Sequence, residues 1–287
     1  MTRIITSLSE ISESYDALFC DLWGCVHDGL APFAEAVAAL QAFRARGGTV
    51  MLVTNAPRPH APVRRQLDRL GVPSDAYDGI ATSGDSARAA MLRGAVGEKV
   101  YFIGQPHDQD FFAPLELIEN PVKISQVPLE QAEGMVCCGP FDPLADPEEM
   151  RAQFLQAKTR GLKLLCANPD IVVDRGETRE WCAGALAKLY TEMGGESLYF
   201  GKPHPPIYDL ARRRLQALGK DIPDSRILCV GDGILTDIDG AMGEDLDSLF
   251  ITGGLAARET QTADQPDPKA LMAYLTREMR QPTYSIG

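Results

Sequence analysis

At 287 residues and 31.2 kDa, the chain is long enough for one large or two medium domains with a full core. Hydrophobic residues make up 45% and charged ones 24%, the balance of an ordinary globular protein. The formal net charge of −12 argues against nucleic acid and anionic membrane as the main partner, yet leaves room for a small anionic substrate in a locally positive site.

The seven cysteines contain no C-x-x-C pair, and Cys20, Cys137, Cys138, Cys166 and Cys229 sit in or beside apolar segments. That pattern fits buried thiols in a reducing compartment rather than a disulfide frame or a zinc site. The opening carries Glu10, Glu13, Asp16 and Asp21 without a basic-then-apolar leader, and no apolar run approaches membrane-spanning length. A cytoplasmic location is the expectation.

In chain order, Met1 to Asp16 reads as a polar lead-in, and Ala17 to Cys20 as a strand that ends on Asp21, with Gly24 three residues later. Pro32-Phe33 then starts a helix through Val37, Leu40 and Phe43, which Gly47-Gly48 stop. Thr49 to Val53 is a β-rich run ending at Thr54-Asn55. Val63, Leu67 and Leu70 mark a second helix, Ile80 to Ser83 a third strand, and Asp85 to Arg93 a helix behind it. This β-α-β-α-β order implies a parallel sheet with right-handed crossovers.

A second such run begins at Ser197 to Phe200, which leads into Gly201-Lys202-Pro203 and a helix through Ile207, Leu210 and Leu218. Arg226 to Val230 leads into Gly231-Asp232-Gly233 and a short helix from about Asp237, and Ser248 to Ile251 leads into Thr252-Gly253-Gly254. A last helix covers roughly Pro268 to Arg280. Between the two runs, strands are expected at Lys99–Ile103, Met135–Cys138, Leu162–Ala167 and Ile171–Val173, with a helix at about Pro147–Arg160. Thr54 and Lys202 are much too far apart for a normal βα connection, so a second α/β domain is inserted into the first. The expected division is 1–85 and 185–287 for the core and 86–184 for the insert, whose job would be to cover the crevice and choose the substrate.

Four polar clusters follow apolar runs: Asp21, Thr54-Asn55, Lys202, and Asp232 with Asp237. In an open parallel sheet, ligands bind beyond the carboxyl ends of the strands, so these residues would converge. Packed carboxylates raise one another's pKa, and a hard divalent cation held by oxygen ligands, Mg²⁺ above all, removes the conflict. Lys202 adds a point charge suited to phosphate, and the Thr54 hydroxyl adds a donor. Each cluster also has a plainer reading: Thr54-Asn55 as a helix cap, Lys202 as a solvated loop residue, Asp237 as an N-terminal helix charge. Four such clusters in order favour the joint site.

The set Asp21-x-x-Gly24, Thr54-Asn55, Gly201-Lys202-Pro203 and Gly231-Asp232-Gly233-x-x-Thr236-Asp237 resembles the haloacid dehalogenase superfamily of phosphatases. The insert between the second and third motifs resembles its class IIA members, which include sugar-phosphate, nucleotide and pyridoxal-phosphate phosphatases. Ala167-Asn168-Pro169-Asp170 resembles the segment that returns from their cap. The resemblance implies a Rossmann-like α/β core with helices on both faces of a parallel sheet, and an inserted α/β cap. It implies Asp21 as the nucleophile that becomes an aspartyl-phosphate, with Lys202 supporting catalysis. Thr54, Asn55, Lys202 and Asn168 would bind substrate. Asp21, the Trp23 carbonyl and Asp232 would hold Mg²⁺, with Asp237 in support.

One position departs from the family pattern. A second Asp, two residues after the nucleophile, normally serves as general acid and base, and here that residue is Trp23. Such assistance contributes about 10² to 10⁴ in rate, and His27 or Asp28 are the nearby substitutes. The expected function is a Mg²⁺-dependent phosphatase acting on a small phosphorylated metabolite. The alternatives are a superfamily hydrolase of a phosphonate or halide bond, and a phospho-ligand-binding protein with little turnover. A homodimer stays open.

Overall fold

The structure is a computed structural model that describes residues 2–113, 120–175 and 178–287. Its chain runs β1 (Arg3–Ile4), β2 (Ala17–Cys20), α1 (Ala34–Ala45), β3 (Thr49–Thr54), α2 (His60–Leu70), β4 (Gly79–Thr82), α3 (Ser83–Leu92) and β5 (Lys99–Ile103). β6 (Ser125–Gln126), β7 (Gly134–Cys137), α4 (Arg151–Thr159), β8 (Lys163–Cys166), β9 (Val172–Arg175), β10 (Thr178–Trp181), α5 (Ala183–Glu192) and β11 (Glu196–Tyr199) follow. The chain closes with α6 (Pro205–Ala217), β12 (Ile227–Gly231), α7 (Asp239–Gly243), β13 (Asp247–Ile251), α8 (Pro268–Glu278) and β14 (Tyr284–Ile286).

Two compact units result. The first comprises Met1–Thr54, Arg64–Ala81 and Lys202–Gly287, and the second Asn55–Val63 and Thr82–Gly201. The first unit is built on a seven-stranded sheet of order β1-β14-β13-β12-β2-β3-β4. β2 pairs in parallel with β3 on one side and β12 on the other. The chain therefore winds outward one way through β3 and β4 and the other way through β12, β13 and β14. That reversal beside β2 is the switch point where open α/β sheets bind ligands.

Alternation along β2 shows why helices cover both faces of this sheet. Phe19 packs with Ile207, Tyr208, Ala211 and Leu215 of α6, whereas Leu18 and Cys20 face Ala36, Ala39 and Leu40 of α1. Among the described residues, no helix is long and apolar enough to cross a membrane. The seven cysteines are buried free thiols.

The second unit carries a five-stranded sheet of order β11-β8-β7-β5-β6, with a separate antiparallel ribbon of β9 and β10. Its core lies on both faces: Met135 and Cys137 of β7 pack against Leu186 and Tyr190 of α5, while Val136 packs against Met91 of α3.

Three features differ from the sequence expectation. Residues 185–201, assigned to the core, belong to the second unit: β11 pairs in parallel with β8, and α5 supplies Leu186, Leu189 and Tyr190 to that unit's interior. The strand before Lys202 carries no mark of which sheet it joins. The lead-in is not merely polar, because Ile5, Ile11 and Tyr15 are buried and β1 pairs with β14 at the sheet edge. Strands of two and three residues are too short for any periodicity to register. The Pro147–Arg160 helix divides into a 3₁₀ turn over Pro147–Met150, whose start Asp146 caps by accepting from the Glu148 N–H, and α4.

Candidate active site

The register of the first sheet brings the predicted carboxylates together. Cys20 stands opposite Val230, and the Asp21 N–H continues the ladder to the Val230 carbonyl at 2.8 Å. Asp21 therefore leaves β2 level with the end of β12, one residue before Asp232. On the other side Cys20 stands opposite Leu52, so Thr54, the last residue of β3 and buried, reaches beyond the same edge. β2, β3 and β12 are apolar until they clear the sheet and then turn polar, which is why Asp21, Thr54 and Asp232 meet at one edge.

Lys202 joins this edge from the loop before α6. Its Nζ lies 2.7 Å from Asp21 Oδ1 and 2.6 Å from Asp237 Oδ1, and its side chain is buried. Burial alone would pull the ammonium's pKa down, but the Asp21 and Asp237 charges and hydrogen bonds outweigh it and hold the group above the ordinary lysine value. The plainer reading of Lys202 as a solvated loop residue is thereby excluded.

Asp237 lies in a π-helical turn over Ile234–Ile238, and Gly233 donates its N–H to Asp237 Oδ2 at 3.0 Å. A Cβ on Gly231 would lie 2.0 Å from Asp237 Cγ, so the glycine before Asp232 makes room for the second acid. Burial, followed by the Asp21 charge, raises the Asp237 pKa, and the contact with Lys202 opposes that rise.

Asp232 is enclosed more tightly. A Cβ on Gly24 would lie 2.2 Å from its Oδ2, and one on Gly254 would lie 2.1 Å from the same atom. Gly24 also needs its positive φ of 76° to turn the chain away after Asp21. The Leu255 N–H donates to Asp232 Oδ2 at 3.0 Å. Burial, followed by the nearby Asp21 and Asp237 charges, pushes the Asp232 pKa well above the carboxylate range.

A carboxylate so enclosed fits a divalent cation. Ligand atoms of Asp21, Cys25 and Asp232 lie within 4.8 Å of one another. Burial first, then the neighbouring acids, raises the Cys25 thiol well above its usual value, so it stays protonated. The ionised donors are then hard oxygens, as Mg²⁺ or Ca²⁺ prefers. Asp237, expected in support of the metal, spends its carboxylate on Lys202 and the Gly233 N–H. The Gly253-Gly254 turn after β13 was expected as a strand end but was given no part in the site, which its approach to Asp232 shows.

Trp23 is half-buried and packs within its own loop. Its ring meets His27 edge-on at 5.2 Å, and a Cβ on Gly29, at φ 86°, would lie 2.4 Å from the indole Cη2. The two nearby substitutes for a general acid are both engaged. Asp28 is exposed and accepts from the Leu30 and Ala31 N–H groups, each at 2.8 Å, and these hold its pKa below the usual range. His27 is buried, and its Nδ1 accepts from the Gly29 N–H at 3.0 Å, which leaves any ring proton on Nε2.

The remaining predicted residues lie in the second unit. Asn55 is buried and donates from Nδ2 to Asp170 Oδ1 at 2.8 Å. Asn168 turns Oδ1 back to accept from the Asp170 N–H at 3.0 Å, so that oxygen shapes its own loop.

Comparison with known proteins agrees with this geometry. Residues 18–117 match a family described as haloacid dehalogenase-like hydrolase, and residues 199–277 match a related hydrolase-like description. A crystal structure of a haloacid dehalogenase-like hydrolase from Brucella suis is 40% identical, with a TM-score of 0.85 over 99% of this chain and 98% of that one. The 5'-nucleotidase YutF of Bacillus subtilis is 25% identical over 92% of this chain and 97% of its own. A glycerol phosphate phosphatase from Mycobacterium tuberculosis, solved in complex with magnesium, is 26% identical, with a TM-score of 0.67 over 96% of this chain and 75% of that one. A parallel α/β core, an inserted α/β unit and acids gathered beyond the strand ends define a hydrolase of one class. The chain belongs to the haloacid dehalogenase-like hydrolase family, in its class IIA.

Proposed function

We propose that the chain is a phosphatase of small organic phosphates that works through a covalent intermediate on Asp21. An Asp21 carboxylate oxygen attacks phosphorus, the bond from phosphorus to the leaving oxygen breaks, and an aspartyl-phosphate forms. Water then attacks that phosphorus, releasing inorganic phosphate and restoring Asp21. The observation that carries this reading is the buried Lys202 ammonium between Asp21 and Asp237 at 2.7 and 2.6 Å. It pairs with the Asp21 carboxylate and supplies positive charge for a phosphoryl group on an otherwise acidic protein. Thr54 and Asn55 supply donors to the phosphate oxygens, and Asp237 orients Lys202.

Mg²⁺ would be held by Asp21, the Trp23 carbonyl and Asp232, with Asp237 behind Lys202, and would offset phosphate charge. The magnesium complex of the Mycobacterium tuberculosis relative supports that choice of metal. The names of the two functionally described relatives, a 5'-nucleotidase and a glycerol phosphate phosphatase, support small organic phosphates as the substrate class.

A second reading rests on Trp23, which fills the family's acid position. It comprises hydrolysis of a bond that needs no proton donor, such as phosphonate or halide, and phospho-ligand binding with little turnover. An assay over phosphate monoesters, a phosphonate and a haloacid, with Mg²⁺ or chelator and Asp21→Asn as control, separates the readings. Mg²⁺-dependent phosphate release lost in Asp21→Asn is the expected result. Phosphonate or halide turnover alone, or binding without turnover, would replace the phosphatase reading.

A further inference from the structure

The chain leaves the first unit at Thr54–Asn55 and finally returns to it at Gly201–Lys202. Two residues given phosphate roles, Thr54 and Lys202, are thus each bonded directly to a residue of the second unit. Those two junction residues touch each other: a Cβ on Gly201 would lie 2.4 Å from Asn55 Oδ1, 2.6 Å from Ser83 Oγ and 2.7 Å from Pro169 Cδ. Only a glycine lets the returning chain pass this close.

The contact is gripped by Asp170. Its Oδ1 accepts from Asn55 Nδ2 at 2.8 Å, which fixes the amide flip and aims Asn55 Oδ1 toward Gly201. Asp170 is itself tied down. Its N–H is held by Asn168 Oδ1 at 3.0 Å, its carbonyl accepts from the Gly184 N–H at 3.1 Å, and a Cβ on Gly184 would lie 2.0 Å from the Pro169 carbonyl oxygen. The start of α3 grips the same loop from the other end. The Gly84 N–H donates to the Ala56 carbonyl at 3.0 Å, and Asp85 Oδ2 lies 2.9 Å from His60 Nδ1. Asn55 is 3% exposed, so its amide is held in a buried and fully shaped surrounding.

We propose that Asp170 is a positioning residue for phosphate recognition, a role that rests on the phosphatase reading. By holding the Asn55 amide against Gly201, it sets the peptides on which Thr54 and Lys202 are carried. A small displacement of a binding group is amplified into a large loss of rate, about 10²-fold for 1 Å. The energy of the single hydrogen bond understates its effect for that reason.

The test compares Asp170→Ala, Asp170→Asn and Gly201→Ala in the full chain. The readouts are kcat and KM on p-nitrophenyl phosphate, affinity for inorganic phosphate by calorimetry with Mg²⁺ present, and melting temperature. Asp170→Ala should weaken phosphate binding and lower kcat/KM by about 10-fold or more. Asp170→Asn keeps an oxygen that can accept from Asn55 and should stay within about threefold of wild type. Gly201→Ala should repeat the Asp170→Ala signature by steric displacement of Asn55, which keeps the proposal testable if Asp170→Ala fails to fold.

The proposal is overturned if folded Asp170→Ala keeps wild-type phosphate affinity and kcat/KM. It is also overturned if Asp170→Asn loses as much as Asp170→Ala, since charge rather than the amide bond would then matter. A wild type that binds phosphate without hydrolysing any ester ends the phosphatase reading alone, and the affinities still decide the role of Asp170. A wild type that binds no phosphate overturns both.

Discussion

Asp232 is a buried acid beside two others. It is 5% exposed, and burial together with the Asp21 and Asp237 charges raises its pKa well above the ordinary value. For an acid shifted in this direction, the native state holds more protons than the unfolded one at pH values between the two pKa values. Metal-free stability therefore falls as pH rises above the ordinary carboxylate range, and a bound cation reverses the loss. Asp232→Asn should raise the melting temperature in chelator by the equivalent of about 1 to 3 kcal/mol, flatten its pH dependence, and abolish any Mg²⁺-induced rise. A variant that still gains stability from Mg²⁺ would remove Asp232 from the metal site. Trp23 sets the other test at this scale. Without an acid there, the leaving oxygen departs with most of its negative charge, so aryl and acyl phosphates should turn over far faster than alkyl ones. Trp23→Asp should narrow that gap by about 10- to 100-fold, measured as kcat/KM on matched aryl and alkyl phosphates with chemistry rate-limiting. Equal wild-type rates on both classes would mean that another group supplies the proton, and Asp28 is a poor candidate because its loop holds it ionised.

Among the elements, the turns after β2 and β13 matter as much as the strands themselves. Gly24 and Gly254 close on Asp232 Oδ2 from two directions, each with room for no Cβ. Gly254→Ala replaces no proposed ligand, yet its methyl would meet Asp232 Oδ2, so it should displace that carboxylate and weaken Mg²⁺ binding by about 10-fold or more, read by calorimetry. Unchanged affinity would show that the carboxylate has room to move. In the second unit, Arg88 of α3 is 3% exposed and donates from Nε to the Phe111 carbonyl at 2.9 Å and from Nη2 to the Ala113 carbonyl at 2.6 Å. Arg88→Met should destabilise by about 2 to 4 kcal/mol in denaturant unfolding, because the buried Phe111 carbonyl and the partly buried Ala113 carbonyl lose their donor and the buried Asp85 loses its cation. A loss under half a kcal/mol would mean that water replaces the guanidinium. The strand-end acids and Lys202 were legible because each follows an apolar run that clearly stops. The Asn55–Asp170 bond was not, since nothing in a sequence pairs an amide with an acid so far along the chain. Nor was the π-helical turn around Asp237, whose residues read equally well as an ordinary helix start.

For the whole molecule, a net charge of −12 gives an anion no long-range attraction, so an anionic substrate would be drawn by local charge such as the buried Lys202 ammonium rather than steered by the surface. The division into two units was legible from the distance between Thr54 and Lys202, but its edges were not. Sequence placed the insert at 86–184, and the second unit instead includes Thr82–Gly201. The difference has a physical consequence. A fragment of residues 82–201 keeps β5, β7, β8 and β11 with α3, α4 and α5, and so keeps an apolar layer on each face of its sheet. A fragment of residues 86–184 loses β11 and nearly all of α5, including the buried Leu186, Leu189 and Tyr190, whose hydroxyl donates to the Leu162 carbonyl at 2.5 Å. Burying each such side chain contributes about 1.5 to 3 kcal/mol, so their joint loss approaches the whole stability of a small domain, about 5 to 15 kcal/mol. The longer fragment should therefore melt cooperatively by circular dichroism and keep dispersed amide resonances, while the shorter one shows neither. Cooperative melting of both would mean that α5 and β11 are dispensable to this unit. A longer fragment without a transition would mean that the unit depends on the rest of the chain, residues 55–63 included.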